Sequence, residues 1–214
     1  MDLKLVIFDC DGVLVDTEVL FNQALADDLG AHGLSLTLEE CMGLFVGGTI
    51  SGVKGQAEKL GAVLPDNWVE DFYAKAYKLL GERTEPVAGI IEALDAIERA
   101  GVRYCVASNG RVAKMEITLG RTGMLDRFRD VMFSAQAMGT AKPAPDLFLA
   151  AAAAFGVSPD ECVVIEDSLT GVLAAKRAGM KCFGYAPHGC GEKLVEEDAI
   201  LFHDMAKLPE LLGL

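Results

Sequence analysis

Leu5-Val6-Ile7-Phe8-Asp9-Cys10-Asp11-Gly12-Val13-Leu14-Val15-Asp16-Thr17-Glu18 is the stretch on which the reading of this chain turns. Its first four residues are a continuous apolar run with two β-branched side chains. That is the pattern of a strand covered on both faces in a parallel sheet. The run stops at two aspartates in positions i and i+2, followed by Gly12, which can take φ > 0. The plain reading is a strand end and a polar turn. Two carboxylates held so close, however, raise one pKa or recruit a cation. Ligands of open α/β sheets gather at the carboxyl ends of strands, where this pair lies.

Working outward, the 214 residues suffice for one large domain or a core with a smaller module, and 51% hydrophobic residues can fill that core. No apolar stretch has the length of a bilayer span, and no basic start precedes an apolar signal segment. A cytoplasmic protein is expected. The net charge of −13, with no dense basic run, argues against nucleic acid or a membrane surface as partner. The same field repels a phosphorylated ligand, which would need local cations. None of the six cysteines forms a C-x-x-C pair, and several lie inside apolar strands. They read as buried hydrophobes in a reducing compartment, not as zinc ligands. Oligomeric state is not legible.

From Thr17 to Glu85 the pattern is helical. Phe21, Leu25 and Leu29 recur at helical spacing, and Gly30 and Gly33 end that helix. Thr37-x-x-Glu40 is a capping box ahead of the stripe Leu38, Cys41, Met42 and Phe45. Gly47-Gly48-Thr49 is a breaker and N-cap for a third helix with Ile50, Val53, Ala57 and Leu60 on one face. Asp66 is expected to cap a fourth, with Val69, Phe72, Ala76 and Leu79. After Pro86 strands and helices alternate. Val102–Ala107, Val131–Phe133, Cys162–Ile165, Lys181–Tyr185 and Ile200–Phe202 read as strands. The fold class is therefore α/β: a Rossmann-like parallel sheet with helices on both faces, built from 1–16 and 86–214, with 17–85 inserted as a helical module.

The strand ends carry the chemistry. One strand ends in Asp9 and Asp11, another in Ser108-Asn109-Gly110, another in Glu166-Asp167-Ser168, and Lys142-Pro143 precedes a helix. Each alone is a common turn or a helix-dipole complement. In a parallel sheet they share one edge. Carboxylate oxygens suit Mg²⁺, while Lys142, Ser108 and Asn109 suit phosphate oxygens.

Asp9-x-Asp11-Gly12-Val13-Leu14-Val15-Asp16-Thr17-Glu18, Ser108-Asn109-Gly110, Lys142-Pro143 and Glu166-Asp167-Ser168-x-x-Gly171 resemble the four motifs of the haloacid dehalogenase superfamily of hydrolases. The resemblance covers essentially the whole chain, and residues 17–85 look like that superfamily's α-helical cap. The branch most similar holds β-phosphoglucomutase and small sugar-phosphate phosphatases. Ser108-Asn109-Gly110 with Lys114-Met115, and Phe133-Ser134, look most like a 6-phosphogluconate-type phosphatase.

The resemblance implies an aspartyl-phosphate route. Asp9 would be the nucleophile, and Asp11 the acid for the leaving oxygen and then the base for water. The Asp9 carboxylate, the Asp11 backbone carbonyl and the Asp167 carboxylate would hold Mg²⁺, with Glu166 close behind. Ser108, the Asn109 backbone and Lys142 would grip the phosphate of a small phosphorylated metabolite. A β-phosphoglucomutase has a histidine and an arginine at the cap positions matched here by Phe21 and Ile50. An apolar pair cannot grip a second phosphate, which favours a phosphatase over the mutase. Lys54, one turn from Ile50, could replace the arginine and keeps the mutase as the alternative. Lys75, Lys78 and Arg83 are further cap candidates, and His32 and His188 have no assigned role. A phospho-accepting receiver-like signalling domain is the non-enzyme alternative, but it has no use for Asp11 or for so large an insertion.

Overall fold

The computed structural model describes residues 2–45, 49–187, 189 and 191–214. Gly47, Gly48 and His188 therefore lie outside the described residues. The strands are β1 (Leu5–Phe8), β2 (Val15–Asp16), β3 (Glu85–Pro86), β4 (Arg103–Ser108), β5 (Met132–Ser134), β6 (Cys162–Glu166), β7 (Lys181–Tyr185) and β8 (Ile200–Phe202). The helices are α1 (Glu18–Ala31), α2 (Leu38–Phe45), α3 (Ile50–Lys59), α4 (Trp68–Arg83), α5 (Ile90–Arg99), α6 (Val112–Arg121), α7 (Leu125–Phe128), α8 (Ala135–Met138), α9 (Asp146–Phe155), α10 (Leu169–Arg177), α11 (Glu192–Val195) and α12 (Leu208–Leu212).

Among the described residues, six strands form one sheet in the order β5-β4-β1-β6-β7-β8, every neighbouring pair parallel. All four residues of β1 are buried, which is why this strand reads as unbroken apolar sequence. Its side chains alternate between two cores. Val6 and Phe8 pack with Ile90 and Leu94 of α5, Met115 and Leu119 of α6 and Leu208 of α12. Leu5 and Ile7 pack with Leu147, Phe148 and Ala151 of α9 and Val172 and Ala175 of α10. The chain runs from β1 outward to β4 and β5, then returns to β6 on the other side. The carboxyl end of β1 is thus a topological switch point, where open α/β sheets leave a crevice.

The chain divides into two compact units, residues 1–16 with 85–214, and residues 17–84. Glu85, placed by the sequence pattern at the end of the helical module, pairs with Asp16 in the antiparallel β2–β3 ribbon and so belongs to the first unit. The helical unit has its own core of Leu25, Leu29, Cys41, Phe45, Val53, Ala57, Trp68, Phe72 and Ala76. The capping box forms as read. Thr37 N donates to Glu40 Oε2 at 2.8 Å, and Glu40 N to Thr37 Oγ1 at 3.2 Å.

Three local readings shift. The residue before α4 is Asn67, not Asp66, and its Nδ2 binds Asp71 Oδ2 instead of capping the helix. The buried face of α4 is Trp68, Phe72, Ala76 and Leu80. Two adjacent apolar stripes compete at a period of 3.6, and the one carrying the large Trp68 ring takes the core. Leu60 follows α3 and is exposed. The five described cysteines are buried and free. No described helix is long and apolar enough to cross a membrane.

Candidate active site

Asp9 lies one residue beyond β1 yet stays in the sheet, its N–H donating to Ile165 O at 2.9 Å. The register Phe8↔Val106 and Phe8↔Ile165, continued by one residue, brings it level with Ala107 of β4 and Glu166 of β6. Lys142 reaches into this junction from the loop before α9. Its Nζ donates to Asp9 Oδ1 at 2.5 Å, Glu166 Oε1 at 2.6 Å and Ala107 O at 2.9 Å. The Lys142 side chain is 2% exposed. A buried ammonium is tolerable only when its donors are met, and here three acceptors meet three donors. Burial works against the Lys142 charge, but Asp9 and Glu166 outweigh it and raise its pKa. Burial likewise raises the Asp9 carboxyl, to about 7; Lys142 pulls it down, and Glu166 and Asp11 push it up again.

Two further contacts hold the lysine loop. Asn109 Oδ1 accepts from Lys142 N at 2.8 Å, so the Asn109 side chain ties this loop to the end of β4. Arg177 donates to Pro143 O at 2.7 Å. Neither contact is readable from a motif.

Glu166 is fully buried and fully engaged. Besides Lys142, its Oε2 accepts from Asp167 N at 3.0 Å, Ser168 N at 2.9 Å and Ser168 Oγ at 2.8 Å. The carboxylate therefore sits at the amino end of α10, where the helix dipole favours it. Gly171 makes the space. A Cβ there would lie 1.8 Å from Glu166 Oε1. The sequence places this glycine in a helix, where it is a poor helix former; the packing explains it.

Asp11 stands on the turn after β1. That turn is closed by Leu14 N and Val15 N donating to Cys10 O and by Gly12 N donating to Val15 O. The buried Val13 and Leu14 pin it to the core. Lys114 Nζ, from α6, donates to Asp11 Oδ1 at 2.7 Å. This pair is absent from the motif reading, although Lys114 lies in the first turn of the helix that follows Ser108-Asn109-Gly110. Ser108 is buried at the end of β4, and its Oγ accepts from Gly110 N at 3.0 Å. Its hydroxyl proton is thereby left to donate. Ser134 Oγ donates to Gly110 O at 2.7 Å and holds the same turn.

Asp9, Glu166 and Asp167 each bring a carboxylate oxygen within 4.8 Å of the others. Glu166 already accepts four hydrogen bonds, so the Asp9 and Asp167 carboxylates are the better candidates to hold a cation. Asp167 packs on Gly12, which has φ 78°, and a Cβ at Gly12 would lie 1.9 Å from Asp167 Oδ2. The donors are all oxygen and carry excess negative charge around one buried ammonium. These residues fit a hard divalent cation such as Mg²⁺.

The cap candidates are engaged within the helical unit. Ile50 is buried in that unit's core, and Phe21 sets its ring edge on Phe72 at 5.4 Å. Both side chains pack against the core of that unit. Lys54 Nζ donates to Pro65 O at 2.9 Å and Asp66 O at 3.0 Å, holding the loop before α4. Lys75 binds the buried Asp28 at 2.6 Å, and His32 Nδ1 lies 2.8 Å from Asp28 O. Lys78 and Arg83 are exposed.

Residues 3–179 match the family described as haloacid dehalogenase-like hydrolase. The 6-phosphogluconate phosphatase of Escherichia coli (strain K12) is 31% identical over 211 residues, 98% of this chain and 94% of that protein. Hexitol phosphatase B of the same organism is 30% identical over 179 residues, covering 82% of this chain and 80% of that one. Among solved structures, a hydrolase of the same family from Deinococcus radiodurans, with bound phosphate and sodium, is 29% identical with a TM-score of 0.82. That match covers 99% of this chain and 96% of the other. With Asp9, Lys142 and the Glu166-Asp167 pair brought together at one sheet edge and the match spanning most of its length, the chain belongs to the haloacid dehalogenase-like hydrolases.

Proposed function

We propose that this chain is a Mg²⁺-dependent phosphatase of a small phosphorylated metabolite, a sugar phosphate or a sugar-acid phosphate of the 6-phosphogluconate kind. The observation that carries the reading is the buried Asp9 carboxylate, held by Lys142 at the switch point of the sheet with Asp11 two residues on. The sugar-phosphate and hexitol-phosphate relatives support the substrate class.

The residues divide the work as follows. An Asp9 oxygen attacks phosphorus, forming an O–P bond as the bond to the sugar oxygen breaks. Asp11 gives its proton to that departing oxygen. Water then attacks the aspartyl-phosphate, Asp11 takes a water proton, and phosphate leaves with Asp9 regenerated. Lys142 prevents the Asp9 carboxylate from turning away, and its charge and the Ser108 hydroxyl meet the non-bridging oxygens. Mg²⁺, held by the Asp9 and Asp167 carboxylates with the Asp11 backbone carbonyl, would offset the repulsion between anionic nucleophile and anionic phosphate. Glu166 acts behind them by fixing Lys142.

A mutase must grip a second phosphate. Lys54, the cap cation one turn from the position of the mutase arginine, is engaged with backbone carbonyls of its own unit. The test is incubation with β-glucose 1-phosphate and a trace of the bisphosphate, following free phosphate and glucose 6-phosphate together, alongside a screen of sugar and sugar-acid monophosphates. Free phosphate is expected to outpace glucose 6-phosphate, with many turnovers per chain. Faster glucose 6-phosphate would establish the mutase, and a single phosphate per chain the receiver-like alternative.

A further inference from the structure

We infer that Lys114 is the positioning residue for proton transfer by Asp11, an inference that rests on the phosphatase reading above. Asp11 stands on a turn, its side chain 30% exposed, and a short carboxylate in such a place has several rotamers open to it. Lys114 selects one, through its 2.7 Å bond to Oδ1. The Lys114 side chain is only 16% exposed. Burying an ammonium is costly, which separates this pair from the exposed ion pairs that contribute little.

The local fold is arranged to make the contact. Lys114 lies in the first turn of α6, its N–H donating to Arg111 O at 3.0 Å. The turn that starts this helix is the one that carries Ser108. At Gly110 a Cβ would lie 3.3 Å from Ser108 Oγ, 3.8 Å from Lys114 Cδ and 3.9 Å from Asp11 Oδ2. Ser108, Lys114 and Asp11 thus converge within 4 Å of one point on this turn. One turn therefore aligns the phosphate-gripping hydroxyl with the ammonium that orients the acid.

The reaction distinguishes this role from a structural one. Expelling a sugar alkoxide needs a well-placed acid, whereas 4-nitrophenolate leaves without one. kcat and KM are measured with a sugar monophosphate and with 4-nitrophenyl phosphate for wild type, Lys114→Met, Lys114→Arg, Asp11→Asn and the Asp11→Asn/Lys114→Met double variant. Lys114→Met is expected to lose about 10- to 100-fold in kcat/KM on the sugar phosphate and less than about threefold on the aryl ester. Lys114→Arg should recover most of the loss. On the Asp11→Asn background, Lys114→Met should change the rate by less than about threefold, because the two act as a unit. Equal losses in kcat/KM on both esters, a rise in KM with kcat unchanged, or full additivity would overturn the inference and leave the phosphatase reading standing. Wild-type protein that turns over neither ester would overturn both. Should Lys114→Met fail to fold, Lys114→Gln gives the same comparison with a neutral donor.

Discussion

Asp9 is held in a state that is costly without a cation. Its carboxyl is raised to about 7 because burial outweighs the single ammonium beside it. Without metal, the folded protein keeps a proton on Asp9 that the unfolded chain has already lost. Stability of the metal-free protein should therefore fall as pH rises from about 4 to about 7 and level off above. Asp9→Asn lacks this component. Denaturation midpoints in chelator at several pH values should converge between wild type and variant at low pH and separate near neutrality; parallel profiles would count against it. The same substitution should abolish phosphatase turnover with the fold intact, since an amide neither attacks phosphorus nor anchors a cation by charge. Residual activity within about tenfold of wild type would exclude the covalent route. Gly171→Ala tests the support behind Asp9. Its methyl group would occupy the position of Glu166 Oε1, so that side chain must move and release Lys142. A loss of about 3–5 kcal/mol in unfolding free energy is expected, as for other broken buried ion pairs, together with loss of turnover.

At the scale of elements, the strand ends are joined by side chains and the helix ends are used as anchors. α10 begins at Ser168, whose hydroxyl accepts from Gly171 N and donates to Glu166. One N-cap thus closes a helix and orients a site carboxylate. In the helical unit, α1 and α4 are tied by Asp28, which accepts from Trp68 Nε1 at 2.6 Å and from Lys75 at 2.6 Å. Asp28→Ala would leave a buried indole N–H unpaired. It should cost the helical unit about 1–3 kcal/mol. Trp68 is the chain's one tryptophan, so its fluorescence reports this unit directly. Its unfolding midpoint should drop more than the midpoint read by far-ultraviolet dichroism of the whole chain. An unchanged midpoint would mean that the Trp68–Asp28 bond adds nothing to the stability of this unit.

At the scale of the whole molecule, a chain of net charge −13 is expected to act on a dianion. Its general field opposes that encounter, and the buried Lys142 ammonium with a divalent metal must reverse it. Activity should vanish in excess chelator and return with Mg²⁺. Ca²⁺ should inhibit, because it takes more ligands at longer distances and spoils in-line attack by Asp9. Full activity in chelator would refute the metal assignment.

Features local in the chain are legible from the residues alone. The apolar run of β1, its abrupt polar end, the Thr37–Glu40 capping box and the alternation after Pro86 report spacing and solvent preference over a few residues. Because parallel strands deliver their ends to one edge, those local signals already placed Asp9, Ser108 and Glu166 together. Which charges meet depends on the fold. Lys142 joins residues 133 and 24 positions away, and Lys114 joins one 103 positions away. Strand order and helix phase set those pairings, and neither is written in a local pattern. The same holds for Ile50 and Lys54, which a motif comparison put forward for substrate but packing and backbone carbonyls engage within their own unit. It holds for Gly171, whose purpose is visible only against the Glu166 carboxylate that fills its missing side chain's place.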